Sequence, residues 1–134
     1  MIFFARPRIA NIDDKESRII LPFKRRNRNH VGSLYIGVLT IGADLCVGLL
    51  AMQHIRQINP KIVVIFKDLS CEYLKKAMGP TEFICLQGEE IAELVKNAGE
   101  TGQRQTQTFQ GHAVSTVNGE KVHVMNFAIT LSVK

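Results

Sequence analysis

The sequence predicts an α+β fold in which a mostly antiparallel sheet of about six strands wraps one long hydrophobic helix, with one short helix beside it. Three observations predict it. Residues 29–56, NHVGSLYIGVLTIGADLCVGLLAMQHIR, are apolar on every side and carry one charge, Asp44, between Leu34 and Met52. A helix of that kind is buried in a core or spans a membrane. The rest of the chain alternates or runs apolar over short, turn-bounded stretches, as strands with an apolar face do. Asn118-Gly119 then joins two long runs by the strongest two-residue hairpin signal.

The 134 residues suit one domain over 1–134, long enough to bury a helix in a single core. At 46% hydrophobic and 22% charged residues, disordered and fibrous classes are excluded. Asp44 sits in the middle of the apolar segment, where a bilayer would charge it about 2.5–3.5 kcal/mol. The expectation is therefore a buried helix and no membrane partner.

In chain order, residues 5–12 and 16–25 read as two strands around the Asp13-Asp14-Lys15 turn, with Pro7 and Pro22 confined to edges or strand ends. The opening MIFFARPR is too short for a signal peptide and reads as a tucked first strand of a cytoplasmic protein. The central helix is expected over 33–56, about 36 Å long at about 1.5 Å per residue, with Ser33 as N-cap. It stops before Asn59-Pro60. Its glycines, Gly37, Gly42 and Gly48, cost about 1 kcal/mol each relative to alanine, and close approach of a neighbouring surface is the expected compensation.

Lys61–Lys67 is a near-continuous apolar strand, extended through Leu69 and Tyr73, and Thr81–Gln87 is expected to return as its antiparallel partner. Between Glu89 and Gly99, Ile91, Leu94, Val95 and Ala98 share one face of a short amphipathic helix. The final hairpin pairs 103–117 with 120–133, placing Val117 opposite Glu120, Ala113 opposite Val124 and Phe109 opposite Ala128.

Charge is concentrated. Residues 1–28 hold eight bases and three acids, whereas the other 106 hold nine of each sign. The run Lys24, Arg25, Arg26 and Arg28 reads as a solvated loop or as a phosphate-attracting one. Without interleaved aromatics or a recognised module, no nucleic-acid partner is expected. Cys46, Cys71 and Cys85 are odd in number and set in apolar surroundings, as free thiols of a reducing compartment are. His30, His54, His112 and His123 show no ligand spacing, so no metal site and no cofactor are expected.

Counted at helical spacing, Gly37, Thr40, Ile41, Asp44, Gly48 and Ala51 form one narrow stripe that contains the helix's only carboxylate. The order of two strands, a glycine-rich helix and four strands resembles the hotdog fold, and residues 29–44 carry the resemblance. Phenylacetate-degradation-type acyl-CoA thioesterases open this helix with Asn, Gly three residues on, His-Gly-Gly, Leu and then Asp. These positions fall on Asn29, Gly32, Tyr35-Ile36-Gly37, Gly42 and Asp44. The Asn, the first Gly, the last Gly of the triplet and the Asp are kept, and the His, one Gly and the Leu are replaced. The chain looks closer still to an uncharacterised bacterial hotdog branch with NHVGSLY-like openings and a KK-x-x-GP feature, here Lys75–Pro80.

The resemblance implies a thioester hydrolase. The N–H groups around Ile36 and Gly37 would polarise the carbonyl, Asp44 would activate water, and Asn29 would orient thioester or water. Gly32, Tyr35 and Thr40 would border the substrate, and Lys24, Arg25, Arg26 and Arg28 would meet phosphates of coenzyme A or an acyl-carrier protein. Because Gly37 and Asp44 are about 10 Å apart along one helix, the resemblance also implies a homodimer, or a tetramer built from it. A non-catalytic dimer that binds acyl-CoA or a fatty acyl group is the competing implication. Each residue also has a plainer reading: Asp44 as a carboxylate paired with a base from Arg25–Arg28, Tyr35 as a half-buried core side chain, the glycine stripe as helix packing.

Overall fold

The computed structural model describes residues 5–134; Met1–Phe4, with half of the expected tucked strand, lie outside the described residues. The elements are β1 (Arg8–Ile12), β2 (Ser17–Leu21), a single 3-10 turn (Arg25–Asn27), α1 (Ile36–Ile58), β3 (Val64–Tyr73), β4 (Thr81–Cys85), α2 (Gly88–Thr101), β5 (Gln105–Val117) and β6 (Glu120–Val133). All six strands pair antiparallel in one sheet, in the order β1-β2-β4-β5-β6-β3. The sheet curls around α1, and α2 closes one side. This is the hotdog fold.

Alternation decides what faces the helix. Ile19 and Leu21 of β2, Phe83 of β4, Phe109 and Ala113 of β5 and the Met125–Val133 row of β6 are buried against Val38, Ala43, Val47 and Leu50 of α1. Fully burying a side chain of this size is worth about 1.5–3 kcal/mol. The long apolar segment is therefore the core helix.

Three expectations before the hairpin need correction. The helix starts at Ile36, with Tyr35 as N-cap and no side-chain cap, because Ser33 is held in the preceding loop. The strand expected over 16–25 ends at Leu21, where Pro22 and the 3-10 turn take over. The largest correction concerns β3, which pairs with β6 and not with β4. It zips onto β6 from its first residues, since Val63 N donates to Lys134 O at 3.0 Å and Lys134 N to Val63 O at 3.1 Å. Residues 74–80 then cross the ends of β6 and β5: Leu74 N donates to Val124 O, Thr116 N to Pro80 O, and Leu34 N to Ala77 O. The Lys75–Pro80 feature is this crossing, and Gly79 is required there because a Cβ would meet the Thr116 carbonyl.

In the hairpin, Asn118 (φ 52) and Gly119 (φ 80) form the expected turn and Val117 faces Glu120. Beyond it, a bulge between Ala113 and Val114 slips the register by one, so that Ala113 faces Met125 and Phe109 faces Ile129. The bulge keeps Ala113 and Met125 on the core face together.

Candidate active site on the open flank of the central helix

The approach to α1 is braced by Asn29. Its Oδ1 accepts from Val31 N at 3.0 Å and Ser33 N at 3.1 Å, its Nδ2 donates to Ser33 Oγ at 3.0 Å, and its backbone N–H donates to Ser33 O at 2.7 Å. Gly32, at φ 83, supplies the left-handed residue inside this loop. The Asn29 side chain is thus spent within its own loop, which makes it a brace of the helix start.

Leu34 N and Tyr35 N donate to Ala77 O and Asn27 O, so both amides are satisfied. Among the described residues, the next two amides, Ile36 N–H and Gly37 N–H, have no hydrogen-bond partner. They are the free donors that every helix start leaves, at the positive end of the helix dipole. Ile36 is 64% exposed, and Tyr35 is half-buried against the core.

Asp44 lies two turns further along, about 10 Å from Gly37. It is exposed in the chain alone, and no hydrogen bond or ion pair holds it among the described residues. Partial burial against the helix flank pushes its carboxyl above the ordinary value of 3.8. The only ion pairs among the described residues join Arg18 to Glu16 and to Glu82, at 2.8 Å for the latter. Pairing of Asp44 with a base from Arg25–Arg28 does not occur.

The flank around Asp44 is walled by β3. Phe66, Leu69, Cys71 and Tyr73 pair with Leu131, Ile129, Phe127 and Met125, all core residues, and so face inward. The Tyr73 side chain lies beside Thr40, one turn before Asp44. The Phe66 ring lies over Gly48, one turn after it. Asp44 therefore stands midway along a seam between α1 and the edge strand, with Phe66 and Tyr73 left 45% and 43% exposed. Sequence reasoning assigned neither residue to the site. The two-residue alternation of Leu69, Cys71 and Tyr73 carried the signal, but only the β3–β6 pairing shows which side it faces.

The basic run divides. Arg28 stacks over the Phe23 ring at 5.0 Å, Lys24 and Arg25 are exposed, and Arg26 is half-buried with an Nε that has no partner among the described residues. None of them forms an ion pair with Asp44. No group of three or more His, Cys, Asp or Glu side chains is placed to hold a metal among the described residues. The strand pairing nevertheless brings His112 and His123 into an edge contact, ring centroids 5.7 Å apart, that their sequence spacing hides. All three cysteines are free, with Cys46 and Cys85 buried and Cys71 half-buried in the seam; burial, then the neighbouring Cys85, pushes the Cys46 thiol far above its usual range.

A family model described as "Domain of unknown function (DUF4442)" matches residues 3–133. No functionally curated protein is detectably similar in sequence. Among solved structures, a protein of unknown function from Chlorobaculum tepidum superposes with a TM-score of 0.83 at 14% identity, covering 98% of this chain and 84% of that one. A protein from Pseudomonas aeruginosa described as a "probable thioesterase" gives 0.80 at 23% identity, covering 97% and 83%. A thioesterase from Haemophilus influenzae gives 0.68 at 13% identity, covering 99% and 81%. At these identities the likeness speaks for the fold.

Proposed function

The chain belongs to the DUF4442 family, and on its hotdog fold we propose that it is an acyl-CoA thioesterase in which Asp44 activates water. The observation that carries this reading is the pairing, on one helix, of two unpartnered N–H groups at Ile36 and Gly37 with an unpaired, partly desolvated carboxylate. Donors at a helix start favour the negative charge that develops on a carbonyl oxygen under attack. The Asp44 carboxylate takes a proton from water as the water oxygen bonds to the thioester carbon. The C–S bond then breaks and the proton passes to the leaving thiolate, giving a carboxylic acid and free coenzyme A.

One chain does not bring its donors and its base to the same carbonyl. The proposal therefore includes a homodimer in which Asp44 of one copy faces Ile36 and Gly37 of the other. Support comes from β3, an edge of the sheet among the described residues, flanked by exposed Ile65, Phe66, Tyr73 and Leu74, beside the seam that holds Asp44. Asn29 and Gly32 shape the helix start, Tyr35 and Thr40 border the thioester, and Lys24, Arg25, Arg26 and Arg28 offer cations to the phosphates of coenzyme A or an acyl-carrier protein.

The test is thiol release from a panel of short, medium, long and aryl acyl-CoAs by wild type and Asp44→Ala, with sedimentation of both. Dimeric wild type should hydrolyse at least one thioester, and the variant should remain dimeric and lose about 10²–10⁴-fold in rate. A folded dimer that binds acyl-CoA without hydrolysing any of the panel would favour a carrier of acyl groups. Tyr35 and Ile36, standing where the resembling thioesterases have His-Gly, are what favours that second reading.

A further inference from the structure

A second concave site lies away from Asp44. Arg6, Arg8, Ile20, Pro22, Phe23, Lys24 and Pro80 line an open cleft of about 470 Å³. Arg8 pairs with Ile20, and Ile20 alternates with the buried Ile19 and Leu21, which puts the cleft on the sheet's outer face, opposite the helix. Its volume falls within the range of small-molecule sites. Three cations line it and no acid does.

No ion pair occupies these cations among the described residues, and the Met-Ile-Phe-Phe start contributes no carboxylate side chain. The nearest acid by strand register, Glu82 opposite Ile20, is engaged by Arg18 at 2.8 Å. Arg6 is also fixed in an uncommon backbone state: φ is 50, immediately before Pro7. The buried Asn27 bridges the two chain segments that build the cleft, its Nδ2 donating to Ala5 O at 2.9 Å and Pro22 O at 3.0 Å. That clamp ties the segment that carries Arg6 to the one that carries Lys24, and like charges gathered in one cleft repel one another, which a bound anion relieves.

We propose that this cleft binds a phosphate-bearing ligand, with Arg6, Arg8 and Lys24 on the phosphate oxygens and its planar or apolar body against Phe23, Pro22 and Pro80. Guanidinium groups match phosphate geometry with paired N–H donors, and the apolar wall suits the body of a ligand larger than a bare anion. The site shares Lys24 with the thioesterase reading and uses neither Asp44 nor the helix start, so the variant that tests it alters only Arg6 and Arg8. The ligand's phosphate comes from a free nucleotide or from a lipid headgroup, and the experiment separates the two.

The 134-residue protein is titrated calorimetrically with ADP, and sedimented with vesicles of phosphatidylcholine alone or of phosphatidylcholine and phosphatidylglycerol in equal parts. Wild type is compared with Arg6→Gln/Arg8→Gln and with a Lys61→Gln/Lys121→Gln control of equal charge change. Thermal melts confirm folding, and the exposed Arg8→Gln alone serves if the double variant does not fold. ADP binding that is weakened about tenfold or more in the cleft variant, kept in the control and reduced by salt supports a nucleotide site. Sedimentation with the anionic vesicles only, lost in the cleft variant, supports the same site with a lipid source. Binding to neither probe, or equal losses in the cleft variant and the control, would overturn the proposal.

Discussion

Gly42 and Gly48 lie on the same helix, and each sits beneath a phenylalanine ring, yet the two contacts differ in what surrounds them. A Cβ on Gly42 would overlap the ring of Phe83, which is fully buried and packs against Phe127 with centroids 6.3 Å apart. A Cβ on Gly48 would stand 2.9 Å from the far end of Phe66, which is 45% exposed on the edge strand. One contact locks the helix to the centre of the sheet. The other leaves an aromatic side chain half in water beside Asp44. The difference teaches that the interior glycines serve two ends on one helix: close packing on the side facing β4, and an adjustable seam on the side facing β3.

The largest expected effect comes from removing the inner ring. Phe83→Ala should lower unfolding free energy by about 3–5 kcal/mol, because the ring has no route to collapse among β4, β6 and α1. Phe66→Ala should cost about 1 kcal/mol, since roughly half of that ring already meets water. Urea melts of the two variants measure the contrast, and equal losses would erase it.

Gly42→Ala comes next. Alanine gains about 1 kcal/mol of helix propensity over glycine, but overpacking against a closed core costs about 1–3 kcal/mol. The net expectation is a loss of up to about 2 kcal/mol. Gly48→Ala meets only a ring tip that can rotate outward, so the propensity gain should prevail and raise the unfolding free energy by about 0.5–1 kcal/mol. A destabilised Gly48→Ala would mean that Phe66 is pinned, and that the seam is as closed as the core.

The two halves of that comparison were not equally legible in the sequence. The core helix announced itself through an unbroken apolar face, and the hairpin through Asn118-Gly119, because both signals are local. The pairing of β3 was hidden, since Lys61–Lys67 and Thr81–Gln87 are adjacent in sequence and their separation depends on the Lys75–Pro80 crossing, whose hydrogen bonds go to Val124 and Thr116. The bulge at Ala113 was hidden for a similar reason: nothing in the local alternation marks where one strand gains a residue on its partner. The site followed the same division. Gly37 and Asp44 were readable as members of one helical stripe, and Ile36 was named only through the family resemblance, whereas Phe66 and Tyr73 enter the seam only through the β3–β6 register. Asn29 was readable as polar at the helix start, but its commitment to Ser33 and Val31 is a property of the loop.

The smallest expected effect tests whether Asp44 feels its flank. Desolvation raises its carboxyl in the folded chain above the ordinary value of 3.8. A raised acid binds more protons folded than unfolded, so stability falls as pH rises through the interval between the ordinary value and the raised one. Above that interval the ionised, unpaired carboxylate is a constant burden, and below 3.8 it is protonated in both states and costs nothing. Asp44→Asn should therefore melt slightly higher than wild type at neutral pH, and the gap should close as pH falls below 3.8. The shift is small because the carboxylate keeps contact with water. Thermal melts of the pair across pH, at dilutions that keep the chain monomeric, decide it, and a variant that melts lower at neutral pH would reveal a stabilising partner for Asp44, as the helix start of a second copy would be.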